Sequence, residues 1–335
     1  MRVNNSRNIR MNRRQMENRR KNQLKKLVLL IVRVVILLIL MICIKNIYSR
    51  LEEIQTEIKQ LKLRQFRMTQ TGGEVQVPEE SADVVHDMGY IEVIDTWEVG
   101  KPIERSAEEV LKQLSELAQD NSLIGEIYQN YSRYPKELLA ALANNPEMAD
   151  FVSGYPGGDG VTGGITESEK EQEFPLFLQW DPRWGYESYG ESCIGLAGCG
   201  PTCLSMVLFY LTGDETLTPD MIAEYSMENG YYVQGSGTAW TLMQDMPKLY
   251  DIKVTEVSSS ERNIKAVLDS GSIVICAMGR GYFTTSGHYI VIYGYDKDGF
   301  IVNDPNCVAR SNERWAFSEI QYQIKNIWAY SKESK

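Results

Sequence analysis

Histidine is almost missing from this chain: His86 and His288 are the only two in 335 residues. Any reaction that needs an imidazole must use one of them. His86 lies in a polar stretch, VVHDMGY, and is read as a surface residue with no role. The six cysteines contain no C-x-x-C pair. Cys193, Cys199 and Cys203 follow a C-x5-C-x3-C spacing, which is not that of a familiar zinc site. Zinc held by these three and His288 is therefore the weaker reading, and neither a metal nor a cofactor is expected. No nucleotide-binding motif is present. Charge is unevenly spread within the net −10: residues 1–26 hold ten Lys or Arg against one acid, Glu17, so the remainder carries −19. A basic tail on an acidic body is not one nucleic-acid-binding surface, and no nucleic-acid partner is expected.

A long apolar run is present. Residues 27–44, LVLLIVRVVILLILMICI, are broken only by Arg33. As a helix they would span about 27 Å, close to the hydrocarbon thickness of a bilayer. The preceding basic tail predicts a cytoplasmic N-terminus and an extracellular remainder. The residues after the run, Ile44 to Ile47, offer no small-residue cleavage site. A signal anchor that stays in place is thus favoured over a cleaved signal peptide. A lipid-modified Cys43 is disfavoured by the bulky Ile42 before it.

Residues 45–68 read as a helical stalk, with Ile47, Leu51, Ile54, Ile58 and Leu61 on an a/d seam. Two heptads support only weak self-association. Residues 69–90 read as a polar linker. Residues 91–155 read as a small all-α segment. Ser106 and Glu109 form a capping-box pattern ahead of Val110, Leu111, Leu114 and Leu117. Pro135 and Asn145-Pro146 start two more helices. Residues 156–173, rich in Gly and acids, read as a second linker, with an ordered loop as the alternative.

The informative region is 174–332. Gly200-Pro201 mark the start of a helix and Gly213 its stop. Leu204, Met206, Val207, Leu208, Phe209 and Leu211 make it apolar almost all round, so it is a buried helix. Cys199 sits at its mouth, where unpaired amides and the helix dipole favour a thiolate. A buried, inert cysteine is the alternative for Cys199 taken alone. A thiolate nucleophile needs a base, and His288 opens a strand-like run, GHYIVIYGYD. A turn at Asp298-Gly299 leads to a second strand, FIVNDP. The hairpin brings His288 and Asp304 to the same end of a sheet. Asp304 then has the orienting role of a triad, with Asn303 left open as a lesser candidate.

GCGPTCLSMV, GHYIVI and VNDP, in this order, resemble the papain-like cysteine peptidases of family 39, which are related to the bacteriocin-leader-processing peptidases. The resemblance covers roughly Phe174–Ser331. It implies an α+β fold, with a buried nucleophile helix against an antiparallel sheet. It also implies Cys199 as nucleophile, His288 as base and Asp304 as orienting residue. Gln179, in LQWDPRW, is implied as the side-chain donor of the oxyanion hole, beside the backbone N–H of Cys199. The leader-processing members are usually fused to an export transporter on its cytoplasmic side, and that role does not carry over here. The nearer resemblance is to membrane-anchored or secreted members of Gram-positive bacteria.

The expected function is a membrane-anchored extracellular cysteine peptidase or amide hydrolase acting on a peptide or protein substrate. A catalytically silent papain-like module that binds peptides or proteins is the alternative. Cys193, Cys203, Cys276 and Cys307 are even in number and allow disulfides outside the cell. Cys203 and Cys276 lie in apolar contexts that favour a core role instead. Residues 230–243, GYYVQGSGTAWTLM, read as a loop entering a helix, with a cleft wall near the nucleophile as the alternative.

Overall fold

The computed structural model describes residue 45, residues 97–158 and residues 163–332. The basic tail, the apolar run 27–44, the stalk seam, the first linker and His86 lie outside these residues. Among the described residues no helix is long and apolar enough to cross a membrane.

The first described elements are four helices: α1 (Ala107–Leu117), α2 (Ser122–Gln129), α3 (Lys136–Asn144) and α4 (Ala149–Gly154). The capping box at α1 forms as the sequence pattern requires. Ser106 Oγ accepts from Glu109 N, and Glu109 returns the bond to Ser106 N at 2.7 Å. Val110 and Leu114 of α1, Ile124 and Ile127 of α2, Leu138 and Leu142 of α3, and Phe151 and Val152 of α4 are buried.

These helices pack directly against the region that holds the candidate nucleophile. Phe151 of α4 stacks on Tyr186, with centroids 4.6 Å apart and planes 13° from parallel. Tyr186 Oη donates to Phe151 O at 2.9 Å. The short helix α6 (Ile194–Ala197) packs against α3, and Gly195 within it lies under the Phe151 ring. A Cβ at Gly195 would clash with that ring. The boundary between helical segment and catalytic region is therefore one of sequence, not of packing.

The described part of 156–173 is not a free linker either. It contains α5 (Glu167–Glu171), whose Glu169 is buried. Arg183 binds Glu169 and Asp181 through Nη2, both at 2.6 Å, donates through Nη1 to Gly164 O at 2.8 Å, and lies over the Trp184 ring. Of the acids in this stretch, Glu169 is held by one buried guanidinium.

After the hairpin of β1 (Ser188–Tyr189) and β2 (Ser192–Cys193) and then α6 comes α7 (Cys199–Thr212). Eleven of its fourteen residues are buried. Its polar members are satisfied locally: Thr202 Oγ1 donates to Gly198 O, and Ser205 Oγ to Leu217 O. Gly213 ends the helix in the left-handed region at φ 73°, the stop the sequence predicts. Next come α8 (Pro219–Glu228), a second small hairpin of β3 (Tyr232–Val233) and β4 (Gly237–Thr238), and α9 (Trp240–Asp245).

The remaining strands are β5 (Ile252–Glu256), β6 (Ile273–Gly279), β7 (Gly287–Tyr295), β8 (Phe300–Asn303), β9 (Arg314–Trp315) and β10 (Ile324–Lys332). They form a six-stranded antiparallel sheet in the order β5-β10-β6-β7-β8-β9. Helix α10 (Glu261–Asp269) and helix α7 both pack on β6 and β7. Every residue of β6 is buried, so both faces of the sheet are covered. The architecture is the expected α+β one, with the buried helix against the antiparallel sheet. Two further short helices, α11 (Val308–Asn312) and α12 (Phe317–Ile320), complete the fold.

Candidate active site

The described cysteines are all free, and no disulfide links them. Cys193, Cys203, Cys276 and Cys307 are buried, and burial pushes each thiol up, Cys276 to about 12. Cys199 is the exception, only partly buried, and it is the first residue of α7. The amides of that first turn have no partner within the helix, so the positive end of α7 faces the sulfur.

His288 is the second residue of β7, paired across the sheet with Met278. Its Nε2 lies 2.7 Å from Asp304 Oδ1. Cys199 stands close enough to the same ring to help raise its pKa. With Nε2 committed to Asp304, Nδ1 is the nitrogen left for sulfur. Burial by itself would lower the His288 pKa. The Asp304 charge and hydrogen bond, with help from Cys199, outweigh burial and hold it up at about 9.

Asp304 follows the end of β8. The register pairs Val291 with Asn303, which sets Asp304 at the His288 end of the hairpin. It is fully buried. Burial would raise its pKa, but Arg310 and His288 hold the carboxyl down at about 2. Each oxygen is occupied: Oδ1 accepts from His288 and, at 2.9 Å, from Asn306 N; Oδ2 accepts from Arg310 Nε at 2.7 Å. Asn303, the other candidate for this role, turns elsewhere. Its Nδ2 donates to Pro175 O at 2.9 Å.

Gln179 is buried and anchored to the same loop, its backbone N–H donating to Pro305 O at 2.7 Å. Its side-chain Nε2 donates to Gly195 O at 2.9 Å, and its Oε1 is buried without a partner. One amide hydrogen is thus committed to Gly195, and a second remains to point elsewhere. Among the described residues Gln179 bonds Gly195 and not Cys199 or His288.

Several residues at the site carry no local sequence signal. Arg310, on α11, is the buried counter-charge to Asp304. Thr238 is another. A Cβ at Gly200, next to Cys199, would lie 2.7 Å from Thr238 Oγ1. Tyr189 Oη hydrogen-bonds Thr238 Oγ1 at 2.8 Å, and Tyr289 Oη donates to Thr238 O at 2.9 Å. The segment 230–243 is therefore a hairpin beside Cys199 before it becomes helix α9, so the loop reading of its first half is corrected. Among the described residues no group of three or more His, Cys, Asp or Glu is arranged to hold a metal ion.

In chemical terms the arrangement offers a partly exposed thiol at a helix start, an imidazole that favours its protonated form, and a buried carboxylate that fixes the ring. This is the equipment of thiol-based acyl transfer.

Comparison with known proteins agrees with that chemistry. Residues 171–335 match the model of the Peptidase_C39 like family. No curated protein matches the chain in sequence. Among solved structures, the peptidase domain of Streptococcus ComA, a bifunctional ABC transporter involved in a quorum-sensing pathway, is similar at 16% identity and a TM-score of 0.32. That match covers 41% of this chain and 93% of the other. A C39-like peptidase from Bacillus anthracis is similar at 16% identity and a TM-score of 0.32, covering 52% of this chain and 100% of the other. Residues 171–335, just under half of the chain, thus belong to the C39-like family of cysteine peptidases.

Proposed function

We propose that the chain is a membrane-anchored cysteine peptidase or amide hydrolase whose catalytic region works outside the cell. The Cys199 thiolate attacks a carbonyl carbon of the substrate and forms a C–S bond as the carbonyl oxygen takes up negative charge. The backbone N–H of Cys199 and the free hydrogen of the Gln179 amide face that oxyanion. The protonated His288 then delivers its proton to the leaving amine as the C–N bond breaks. In the second half, His288 takes a proton from water, and the resulting hydroxide releases the acyl group from sulfur. Asp304 keeps the ring oriented and its protonated form favoured throughout.

The observation that carries this reading is the buried Asp304 carboxylate 2.7 Å from His288 Nε2, with Cys199, at the start of α7, close enough to act on the same ring. The anchor and its orientation rest on the apolar run 27–44 behind ten basic residues in 1–26.

Alkylation tests both parts. In the purified chain, Cys199 should react with iodoacetamide near neutral pH far faster than a model thiol, and His288→Ala should abolish the advantage. Equal, slow reaction of both proteins leaves the silent peptide-binding module as the reading. In intact cells, a membrane-impermeant maleimide should label Cys199 without permeabilisation. Labelling only after lysis would place the domain inside and overturn the proposed orientation.

A further inference from the structure

The helical segment lies before the stretch that matches the family, yet it reaches into the catalytic loop. Glu147, 3% exposed, accepts from Val308 N at 2.8 Å through Oε2 and from Ala309 N at 2.9 Å through Oε1. Asn145 sits beside it, its Oδ1 accepting from Glu147 N and its Nδ2 donating to Asn306 O. Trp180 Nε1 donates to that same Asn306 O at 3.0 Å. Residues 145 and 147 thus clasp residues 306–309, the stretch that joins Asp304 to Arg310.

Helix starts are ordinarily satisfied by a neighbouring Ser, Thr, Asp or Asn. Here the two amides are met by a carboxylate more than 160 residues away, buried despite the desolvation that raises its pKa. Arg310 stands between two carboxylates: it is hydrogen-bonded to Asp304 and feels the charge of Glu147. The charged and titratable groups facing one another across this loop are Glu147, Cys307, Arg310, Asp304 and His288, with Cys199 beyond the ring.

We propose that the helical segment is a built-in positioning element for the catalytic site, with Glu147 acting through residues 306–310 to hold Asp304 against His288. The inference rests on the reading of Cys199 and His288 as the reactive pair. Glu147 touches no reacting atom. It sets the geometry of the loop and offsets part of the Arg310 charge. Undocking of this segment would release the Asp304 loop, so activity of the C39-like region depends on a part of the chain that lies outside the family match.

The test is Glu147→Gln in the full-length chain, which keeps the shape but removes the charge and one of the two acceptors. Two readouts are followed: the His288 ring titration by NMR of ¹⁵N-histidine-labelled protein, with His86→Gln to assign the other signal, and the iodoacetamide rate at Cys199. With less of its charge offset, Arg310 acts more strongly on the ring. The His288 midpoint should then fall, and neutral-pH alkylation should drop about tenfold or more, the scale of a small misplacement of a catalytic group. An unchanged midpoint and rate in folded Glu147→Gln overturn the proposal. Should that variant not fold, Asn145→Ala removes the Asn306 contact and leaves the Glu147 charge. It should slow alkylation with little change in midpoint, and wild-type alkylation there overturns the proposal. If the wild-type Cys199 is itself unreactive, the peptidase reading fails, and the His288 midpoint alone still decides whether Glu147 is coupled to the ring.

Discussion

Arg310 holds Asp304 by the carboxylate oxygen that His288 does not use, with Nε 2.7 Å from Oδ2 while His288 Nε2 lies 2.7 Å from Oδ1. Asp304 is therefore the shared acceptor of two cations in a site closed to solvent. A carboxylate so placed stays ionised, and it can orient an imidazole only while Arg310 keeps it fixed. Removing the guanidinium leaves Oδ2 of the buried Asp304 without its cation, and breaking a buried ion pair in this way typically costs about 3–5 kcal/mol. Arg310→Met should lower urea stability by an amount of that order and slow Cys199 alkylation, although the residue touches neither sulfur nor imidazole. Stability within about 0.5 kcal/mol of wild type, the range of an ordinary surface substitution, would show that the pair is not needed.

The same pair sets a pH signature. His288 is raised from its usual 6.5 to about 9. Its contribution to stability is complete below the unfolded value and is lost as the pH rises through about 9. Asp304 is lowered from 3.8 to about 2, so its contribution is complete above the unfolded value and is lost as the pH falls through about 2. Urea midpoints of the wild type should therefore decline between neutral pH and about pH 10. Asp304→Asn should flatten that decline and bring the His288 ring titration down from about 9. Parallel declines in the two proteins would show that His288 is not held protonated by Asp304.

How much of the molecule is legible in the sequence depends on how local each determinant is. Cys199, Pro201 and Gly213 are signals within one helix, and α7 begins and ends where they put it. His288 and Asp304 are joined by one hairpin, so a turn at Asp298-Gly299 is enough to bring them together, though not to decide between Asp304 and Asn303. Arg310 is invisible because it lies on a five-residue helix whose start is held by Glu147 from far back in the chain. The acidic stretch 156–173 misleads because composition does not show that Glu169 has Arg183 as a buried partner. Thr238 gives no signal because its neighbours Tyr189, Gly200 and Tyr289 come from three other parts of the chain.

Gly200, next to Cys199, is where two of those distant parts meet. A methyl group there would lie 2.7 Å from Thr238 Oγ1, 2.8 Å from its Cβ and 2.9 Å from its Cγ2. Overpacking of this kind costs about 1–3 kcal/mol. Gly200→Ala should destabilise the protein within that range and disturb the first turn of α7. Adding Thr238→Ala removes two of the three close atoms and should recover part of the loss. A double-mutant cycle measures this coupling, and strict additivity would show that the two residues do not press on one another.

On the proposed mechanism, Gln179 separates nucleophile chemistry from hydrolysis. Alkylation by iodoacetamide is a displacement at carbon and develops no oxyanion, so it draws on Cys199 and His288 alone. Peptide hydrolysis passes through a tetrahedral oxyanion, and losing one donor to it typically costs about 10²–10³ in kcat. Gln179 Nε2 also supports Gly195 O, so its removal disturbs a structural contact as well. Gln179→Glu retains the size but replaces the donor with an acceptor, which would repel both Gly195 O and a developing oxyanion. Gln179→Ala leaves an unfilled donor position that a water molecule is able to take. On a peptide selected by screening with the wild type, both variants should therefore alkylate near the wild-type rate yet hydrolyse slowly, Gln179→Glu the more slowly of the two. Equal losses in alkylation and hydrolysis would assign Gln179 to the support of α6 rather than to the oxyanion.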